Sequence, residues 1–545
     1  MSEIIGRDFG IYLEHGNDAK AMHLQQQQII QQNELMQAIH FSAIAFLEPR
    51  CLLEYPVAVA AILATVAAVA VWLQTRPQRK GILPPGPGGT PLLGFLPFLG
   101  KNLHVMFRDL AEIYGPVVRI RVGTANIVAL NSYDSIKKGL SNSAIQGRSR
   151  SVFLDQSKSP GVATLNGKVW LENRQMCLKL LRELGMGKTC LDEKIRDEVR
   201  CLLSQISELK GEPVFVSKYT TPSISNNITG LLFGRRYDFN DPRRVYLDEN
   251  MDGAGKALSS GSLVMFLPTW VYTIGAHLPF TRIYAIRRCF ANIINFTRER
   301  TKEYLLSLDE TYDQSFIKSY LEKTTDHQKR PSPYFKPEYI PGNVLTFFGA
   351  GTNTINRMVL WHLLNCADKP DSVQKRIQAE IDEVIGQERQ PMWEDRHRMP
   401  FTAACVWEMH RWKPVSPLGI PRGAEEDTEI EGYFIPKGTV VIGNIWAVHM
   451  DPNLWKNPEE FDPTRFLDET GTKILPKPDY LIAFSVGKRM CPSEALSSSQ
   501  IFVYVTSILQ KFSVHPEDDT TQINLITDCV TFNTPKPQKL RFIRR

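Results

Sequence analysis

The residues best equipped for chemistry lie in one stretch near the C-terminal end, AFSVGKRMCPSEALSSSQIFVY (483–504). Within it Phe484, Gly487, Arg489 and Cys491 stand in the spacing F-x-x-G-x-R-x-C. Gly487 permits a tight turn, Arg489 places a cation beside Cys491, and a helical pattern begins just after the cysteine. A cysteine near a cation and a helix N-terminus is held as the thiolate, because both stabilise negative charge on sulfur. Such a thiolate is what a haem iron takes as an axial ligand when electron density must be pushed towards O–O cleavage. Without these neighbours an isolated cysteine is ordinarily a small buried hydrophobe.

Other constellations are suggestive by residue type. Glu408 and Arg411 in WEMHR stand at i and i+3 on one helical face, where they can pair; on a surface such a pair contributes little. Trp170 and Arg174 in WLENR share another helical face and, taken alone, read as a snorkelling surface pair. FFGAGTNTIN (347–356) carries Gly349 and Gly351, which weaken a helix by about 1 kcal/mol each relative to alanine. They either clear room beside that helix or let another helix cross it closely. Asn353 and Thr354 follow; an asparagine can orient water but carries no acidic proton. GAGTNT is not G-x-G-x-x-G and no strand pattern precedes it, which argues against a dehydrogenase or kinase.

The elements that must position these residues are mostly helical. Residues 372–385 (SVQKRIQAEIDEVI) and 499–512 have helical periodicity, whereas strand-like pieces occur only at 117–130, at 429–444 and in the last twenty residues. Strands at the two ends of the body with helices between them imply an α+β, predominantly helical fold. The 545 residues, 43% hydrophobic and 22% charged, exclude collagen-like, wholly disordered and multi-span membrane chains. A net charge of +6, from 64 basic against 58 acidic residues, does not suggest a nucleic-acid partner. The nine cysteines form no C-x-x-C pair and no disulfide framework, so reduced thiols on the cytosolic side of a membrane fit best.

That membrane is implied by residues 56–73, PVAVAAILATVAAVAVWL, which carry no charge and would rise about 27 Å as a helix. Trp72 ends the run and Arg76, Arg79 and Lys80 follow, while residues 1–55 hold three basic and seven acidic side chains. The positive-inside rule then puts the downstream body in the cytosol. A cleaved signal peptide or a buried alanine-rich helix are the alternatives; the distance from Met1 disfavours the first. The expected organisation is an N-terminal extension (1–55, disordered in part), a transmembrane anchor (56–75), a basic and Pro/Gly-rich stalk (76–94) and a catalytic domain (95–545). Asn227 and Asn295 match the glycosylation pattern, but this topology leaves both unmodified.

Taken together, residues 84–545 resemble the cytochrome P450 family of haem-thiolate monooxygenases, most closely its microsomal drug- and steroid-hydroxylating group. The resemblance implies haem b, ligated through its iron by Cys491, with Phe484 and Gly487 completing the binding signature. It implies that Trp170, Arg174, Arg422 (in GIPRG) and Arg489 hold the haem propionates. Glu408 and Arg411, joined by Arg465 of FDPTRF, would form a buried network behind the cysteine loop. Ala350, Gly351 and Thr354 match A-G-x-x-T on a helix over the distal haem face. There Gly349 and Gly351 would leave space for oxygen and substrate, and Thr354 would help deliver protons. Asn353 stands where the family usually has an acid, so protons would arrive through water. Ser493 stands where the family has glycine, which implies slightly looser haem packing. Substrate contacts would come from 149–159, Phe347, Phe348, 415–419 and 530–532. Electrons would come from NADPH through a separate NADPH-cytochrome P450 reductase, with cytochrome b5 as a second candidate donor. A basic surface around Lys488 and Arg489 would steer that partner. The implied enzyme hydroxylates a lipophilic small molecule at the endoplasmic reticulum membrane. The alternatives are a P450-type isomerase or dehydratase needing no external electrons, and a non-catalytic haem- or sterol-binding membrane protein.

Overall fold

A computed structural model of the chain describes residues 65–66, 81–91, 93–123, 125–148, 160–186, 189–259, 269–306, 314–328, 334–527 and 532–545. The chain divides into two compact units, residues 1–85 and residues 86–545. In the first unit Thr65 and Val66 are helical; the rest of the expected anchor lies outside the described residues. Among the described residues no helix is long and apolar enough to cross a membrane.

The second unit begins with α1 (Leu103–Tyr114), the strands β1 (Val117–Val122) and β2 (Ala125–Leu130), and α2 (Tyr133–Ser141). Helices α3 (Gly167–Glu183) and α4 (Thr189–Glu208) are followed by β3 (Val214–Phe215). Next come α5 (Ser217–Phe233), α6 (Pro242–Ser259), α7 (Thr269–Gly275), α8 (Arg282–Leu306) and α9 (Phe316–Gln328). The 29-residue α10 (Ile340–Asp368) has Pro341 in its first turn, where a missing N–H costs nothing. It runs about 43 Å at the standard rise. α11 (Lys375–Val384) and α12 (Pro400–Trp412) lead to β4 (Arg422–Gly423), β5 (Thr428–Ile430), β6 (Tyr433–Ile435) and β7 (Val440–Gly443). α13 (Ile445–His449) and α14 (Glu494–Lys511) precede the final strands β8 (Phe512–Pro516) and β9 (Lys539–Arg544).

The strand-like segments from the two ends of the body meet in one sheet. Its order is β1-β2-β7-β4, with β2 and β7 parallel in the register Ile127↔Val440 to Leu130↔Gly443. The sequence of β2, ANIVAL, is apolar without alternation because both of its faces are covered. Ile127 and Ala129 join Leu103 and Phe107 of α1 in one cluster, and Val128 and Leu130 join Ile136 and Leu140 of α2 in another. The largest core joins α10, α12 and α14 through residues such as Trp361, Met409 and Phe502. α10 therefore has buried side chains around much of its circumference, as a central helix must.

Candidate active site

The cysteine lies in a loop whose shape is fixed by its own backbone. Ser485 N–H donates to Ile482 O (2.7 Å), Met490 N–H to Gly487 O (3.0 Å) and Cys491 N–H to Phe484 O (2.9 Å). Gly487 adopts φ +76°, and a side chain there would collide with the carbonyl of Leu140, so the position requires glycine. Phe484 is braced edge-on by the buried His410 ring at 4.9 Å. Cys491 is half-buried, three residues before α14, with its Sγ 3.4 Å from the hydroxyl of Ser493.

The cation beside the cysteine is not the one expected. Arg489 turns away, placing Nε 2.9 Å from Gln146 O and Nη2 2.6 Å from Leu165 O. The guanidinium coupled electrostatically to Cys491 is that of Arg174, which also donates to Met490 O at 2.6 Å. A helix contributed from far upstream can reach the loop, whereas the side chain two residues before the cysteine points out of the other side of the turn.

Arg174 and Arg489 belong to a larger cluster with Arg148 and Arg422. The Arg489 guanidinium carbon lies over the Trp170 ring, 3.7 Å from its centre. Arg422 donates to Gln146 Oε1 (3.3 Å) and Val486 O (3.2 Å), and Arg148 to the carbonyls of Ala163, Ile420 and Pro421. Every acceptor these four guanidinium groups find among the described residues is a neutral oxygen. Burial, then repulsion from Arg422, lowers the Arg489 pKa to about 9 despite a weaker attraction from Glu425. Burial, then Arg174, lowers that of Arg422 to about 10. Arg148 is pushed down by burial and by the other three. Trp170 Nε1–H is buried and finds no acceptor among the described residues. A cluster of largely buried positive charge whose hydrogen bonds go only to neutral oxygens, together with an indole donor lacking an acceptor, calls for an anion carrying several acceptors. The two propionates of haem meet that requirement, and the residues present fit the group.

The remaining candidate residues lie on α10. Ala350 is exposed midway along this helix, and Thr354, one turn on, donates its hydroxyl to Ala350 O at 2.6 Å. Gly349 and Gly351 do not share that face, which corrects the expectation. A Cβ on Gly351 would stand 2.8 Å from Ile228 Cδ1 of α5, and one on Gly349 would stand 2.9 Å from Met251 Cε of α6. Both glycines make room for crossing helices rather than for small molecules. Asn353 also turns from Thr354 towards α6, its amide nitrogen converging with Arg357 Nη2 beside Gly255. The helix carrying Trp170 and Arg174 is fastened to α10 by a reciprocal amide pair. Asn173 Nδ2 donates to Asn343 Oδ1 (2.9 Å), Asn343 Nδ2 donates back to Asn173 Oδ1 (3.1 Å), and Tyr320 OH donates to Asn173 Oδ1 (2.7 Å).

Behind the loop, Glu408 and Arg411 of α12 form a fully buried bidentate pair, with both bonds at 2.7 Å. Arg411 donates further to the carbonyls of His449, Pro458 and Glu460, and Glu408 Oε1 accepts from Asp462 N–H (2.8 Å). Arg465 Nε lies 3.1 Å from Glu408 Oε2, an ion-pair distance at which its N–H is not aimed along a hydrogen bond.

Of the expected substrate contacts, residues 149–159 and 530–531 lie outside the described residues. Phe348 is sealed in the core and Phe347 stacks edge-on against Phe316, so both act as packing. Phe532 lies 5.1 Å from the Arg357 guanidinium. Asn227 is buried and donates to Gln500 and Tyr504, which leaves its amide no room for a glycan. Arg148 and its neighbour Gln146 were not singled out from the sequence. Nothing local marks them, since their role comes from the segments they touch.

Residues 84–542 match the family model for cytochrome P450. Cytochrome P450 2C55 of Mus musculus is 33% identical over 494 residues, 89% of this chain and 98% of the relative. Cytochrome P450 2H2 of Gallus gallus is 32% identical over 486 residues (88% and 96%). Cytochrome P450 2C8 of Homo sapiens is 32% identical over 461 residues (83% and 92%). With a thiol loop, a buried cationic cluster fit for propionates and a family match over most of its length, the chain belongs to the cytochrome P450 family.

Proposed function

We propose that Cys491 is the axial thiolate ligand of haem b and that Arg148, Arg174, Arg422, Arg489 and Trp170 hold its propionates. The observation that carries this reading is the cluster of the buried Arg148, Arg422 and Arg489 with the half-buried Arg174, whose hydrogen-bond acceptors among the described residues are all neutral oxygens, set around the cysteine loop. The family fixes the reaction class. The chain is a haem-dependent monooxygenase acting on a lipophilic small molecule, with electrons from NADPH delivered through a reductase partner. The balance is R–H + O₂ + 2e⁻ + 2H⁺ → R–OH + H₂O. Neither the isomerase nor the binding-protein alternative is favoured by that membership.

Bound haem supplies the iron at which oxygen is reduced and split. The chain's own part is to hold charge and move protons. Thr354 has its hydroxyl oxygen on the open face of α10, where it can accept a hydrogen bond from water; its one proton is donated to Ala350 O, so relaying a proton inward requires the hydroxyl to rotate off that carbonyl as water donates to it. Asn353 faces α6 and carries no acidic proton, so water alone feeds Thr354. Glu408, Arg411 and Arg465 fix the segment behind the cysteine loop.

The reductase is NADPH-cytochrome P450 reductase, with cytochrome b5 as a second donor, and the exposed Lys488 belongs to the face they meet. Residues 56–75 form a single anchor in the endoplasmic reticulum membrane. They leave the 76–94 stalk and the catalytic domain on the cytosolic side, a reading supported by the charge asymmetry of the flanks. The ferrous–carbon monoxide difference spectrum of the expressed protein, beside Cys491→Ser, tests the ligand. A strongly red-shifted Soret band lost in the variant supports it; haem bound without that band, or a band that survives in the variant, refutes it.

A further inference from the structure

Ser493 occupies the N-cap of α14 with φ −111° and ψ 24°. A serine at that position ordinarily turns its hydroxyl back onto the N–H groups of the first turn. Ser493 makes no such bond. Its own carbonyl accepts from Ser497 N–H at 2.8 Å, and its hydroxyl lies 3.4 Å from Cys491 Sγ. With a neutral thiol either atom could donate, but a thiolate can only accept. Once sulfur carries the charge, the bond therefore runs from serine to sulfur.

We propose that Ser493 is a positioning residue for the axial ligand: its hydroxyl donates to the Cys491 thiolate, withdraws electron density from sulfur and raises the reduction potential of the bound haem. This rests on Cys491 being the ligand. A hydrogen bond to a charged acceptor is about twice as strong as a neutral one, and bonds to cluster or ligand sulfur set potential in metal sites generally. Less donation from sulfur makes the iron easier to reduce and returns less electron density into a bound carbon monoxide. A glycine there would leave sulfur without this donor.

The test compares wild type, Ser493→Ala, Ser493→Gly and Ser493→Thr as haem-loaded full-length proteins. It reads the ferric/ferrous midpoint potential and the C–O stretching frequency of the ferrous–carbon monoxide form. Losing the hydroxyl should shift the ferric-to-ferrous equilibrium about tenfold towards ferric, 59 mV for a one-electron couple, and lower the C–O stretch. Ser493→Ala and Ser493→Gly should agree, and Ser493→Thr should stay with wild type. Ser493→Gly carries the residue the family places here, which keeps a loadable variant in the series. If Ser493→Ala keeps the wild-type potential and stretch, or Ser493→Thr shifts as far as Ser493→Ala, the hydroxyl is not bonded to sulfur and the proposal fails. A wild type lacking the red-shifted carbon monoxide band would instead remove Cys491 as ligand, a failure visible before any Ser493 variant is made.

Discussion

Replacing Glu408 by glutamine removes one negative charge from the centre of the most buried ion network in the molecule while keeping its shape. The carboxylate accepts two bonds at 2.7 Å from Arg411 and one at 2.8 Å from Asp462 N–H, and both side chains of the pair are 0% exposed. In the Glu408→Gln variant one oxygen becomes an NH₂ facing a guanidinium that can only donate. Arg411 would then be a buried charge without a counter-ion, and Arg465, at 9% exposure, would lose its nearest anion. Removing one partner of a buried pair costs about 3–5 kcal/mol, a large fraction of the about 5–15 kcal/mol that holds a typical domain folded. Urea denaturation followed by far-ultraviolet circular dichroism reads the loss as a lower midpoint, and the carbon monoxide spectrum reads how much protein keeps intact thiolate ligation. Lys375→Ala, which breaks an exposed pair with Asp371, is the control and should leave the midpoint unchanged. A Glu408→Gln protein with the midpoint of wild type would refute the claim that this network holds the region behind the loop together.

Thr354→Ala should keep haem bound and keep consuming NADPH while product formation falls severalfold, because the residue moves protons rather than binds; equal loss of both rates would refute that role. Arg148→Met removes one of four cations facing the propionates and should release haem to an acceptor globin about tenfold faster, the equivalent of one charge-assisted bond; an unchanged release rate would place Arg148 outside the haem pocket. Acid should unfold the protein through its buried histidines. Burial lowers the pKa of His362, His410 and His449 to about 3 each, with nearby positive groups adding to the effect. The unfolded chain therefore binds more protons than the folded one between about pH 6.5 and 3. Their stabilising contribution is complete above pH 6.5 and falls as pH drops, by about 1.4 kcal/mol each at pH 5.5. A urea midpoint that stays level from pH 7.5 to pH 5.5 would contradict this.

The sequence alone determined what local spacing can encode. F-x-x-G-x-R-x-C defines a loop closed within eight residues by Cys491 N–H on Phe484 O, with Gly487 at the left-handed φ its turn needs. Glu408 and Arg411 are one turn apart, so their pairing follows from helix geometry alone. The helices at 372–385 and 499–512 and the strand-like pieces at 117–130 and 429–444 were legible for the same reason, since their periodicities are local.

Tertiary structure decided whatever depends on which segment lies beside which. Arg148, Arg174, Arg422 and Arg489 come from separate parts of the chain, and only the fold brings the four arginines into one cluster. The parallel pairing of β2 with β7 has no local signal, because a strand's apolar pattern does not name its partner. Gly349 and Gly351 read correctly as notches but not as to what fills them; Met251 and Ile228 do. Arg489 stood next to the cysteine in sequence and yet turned away, leaving Arg174 to face it. In each case the residue type is set by the chain, while the direction of a side chain is set by the elements packed around it.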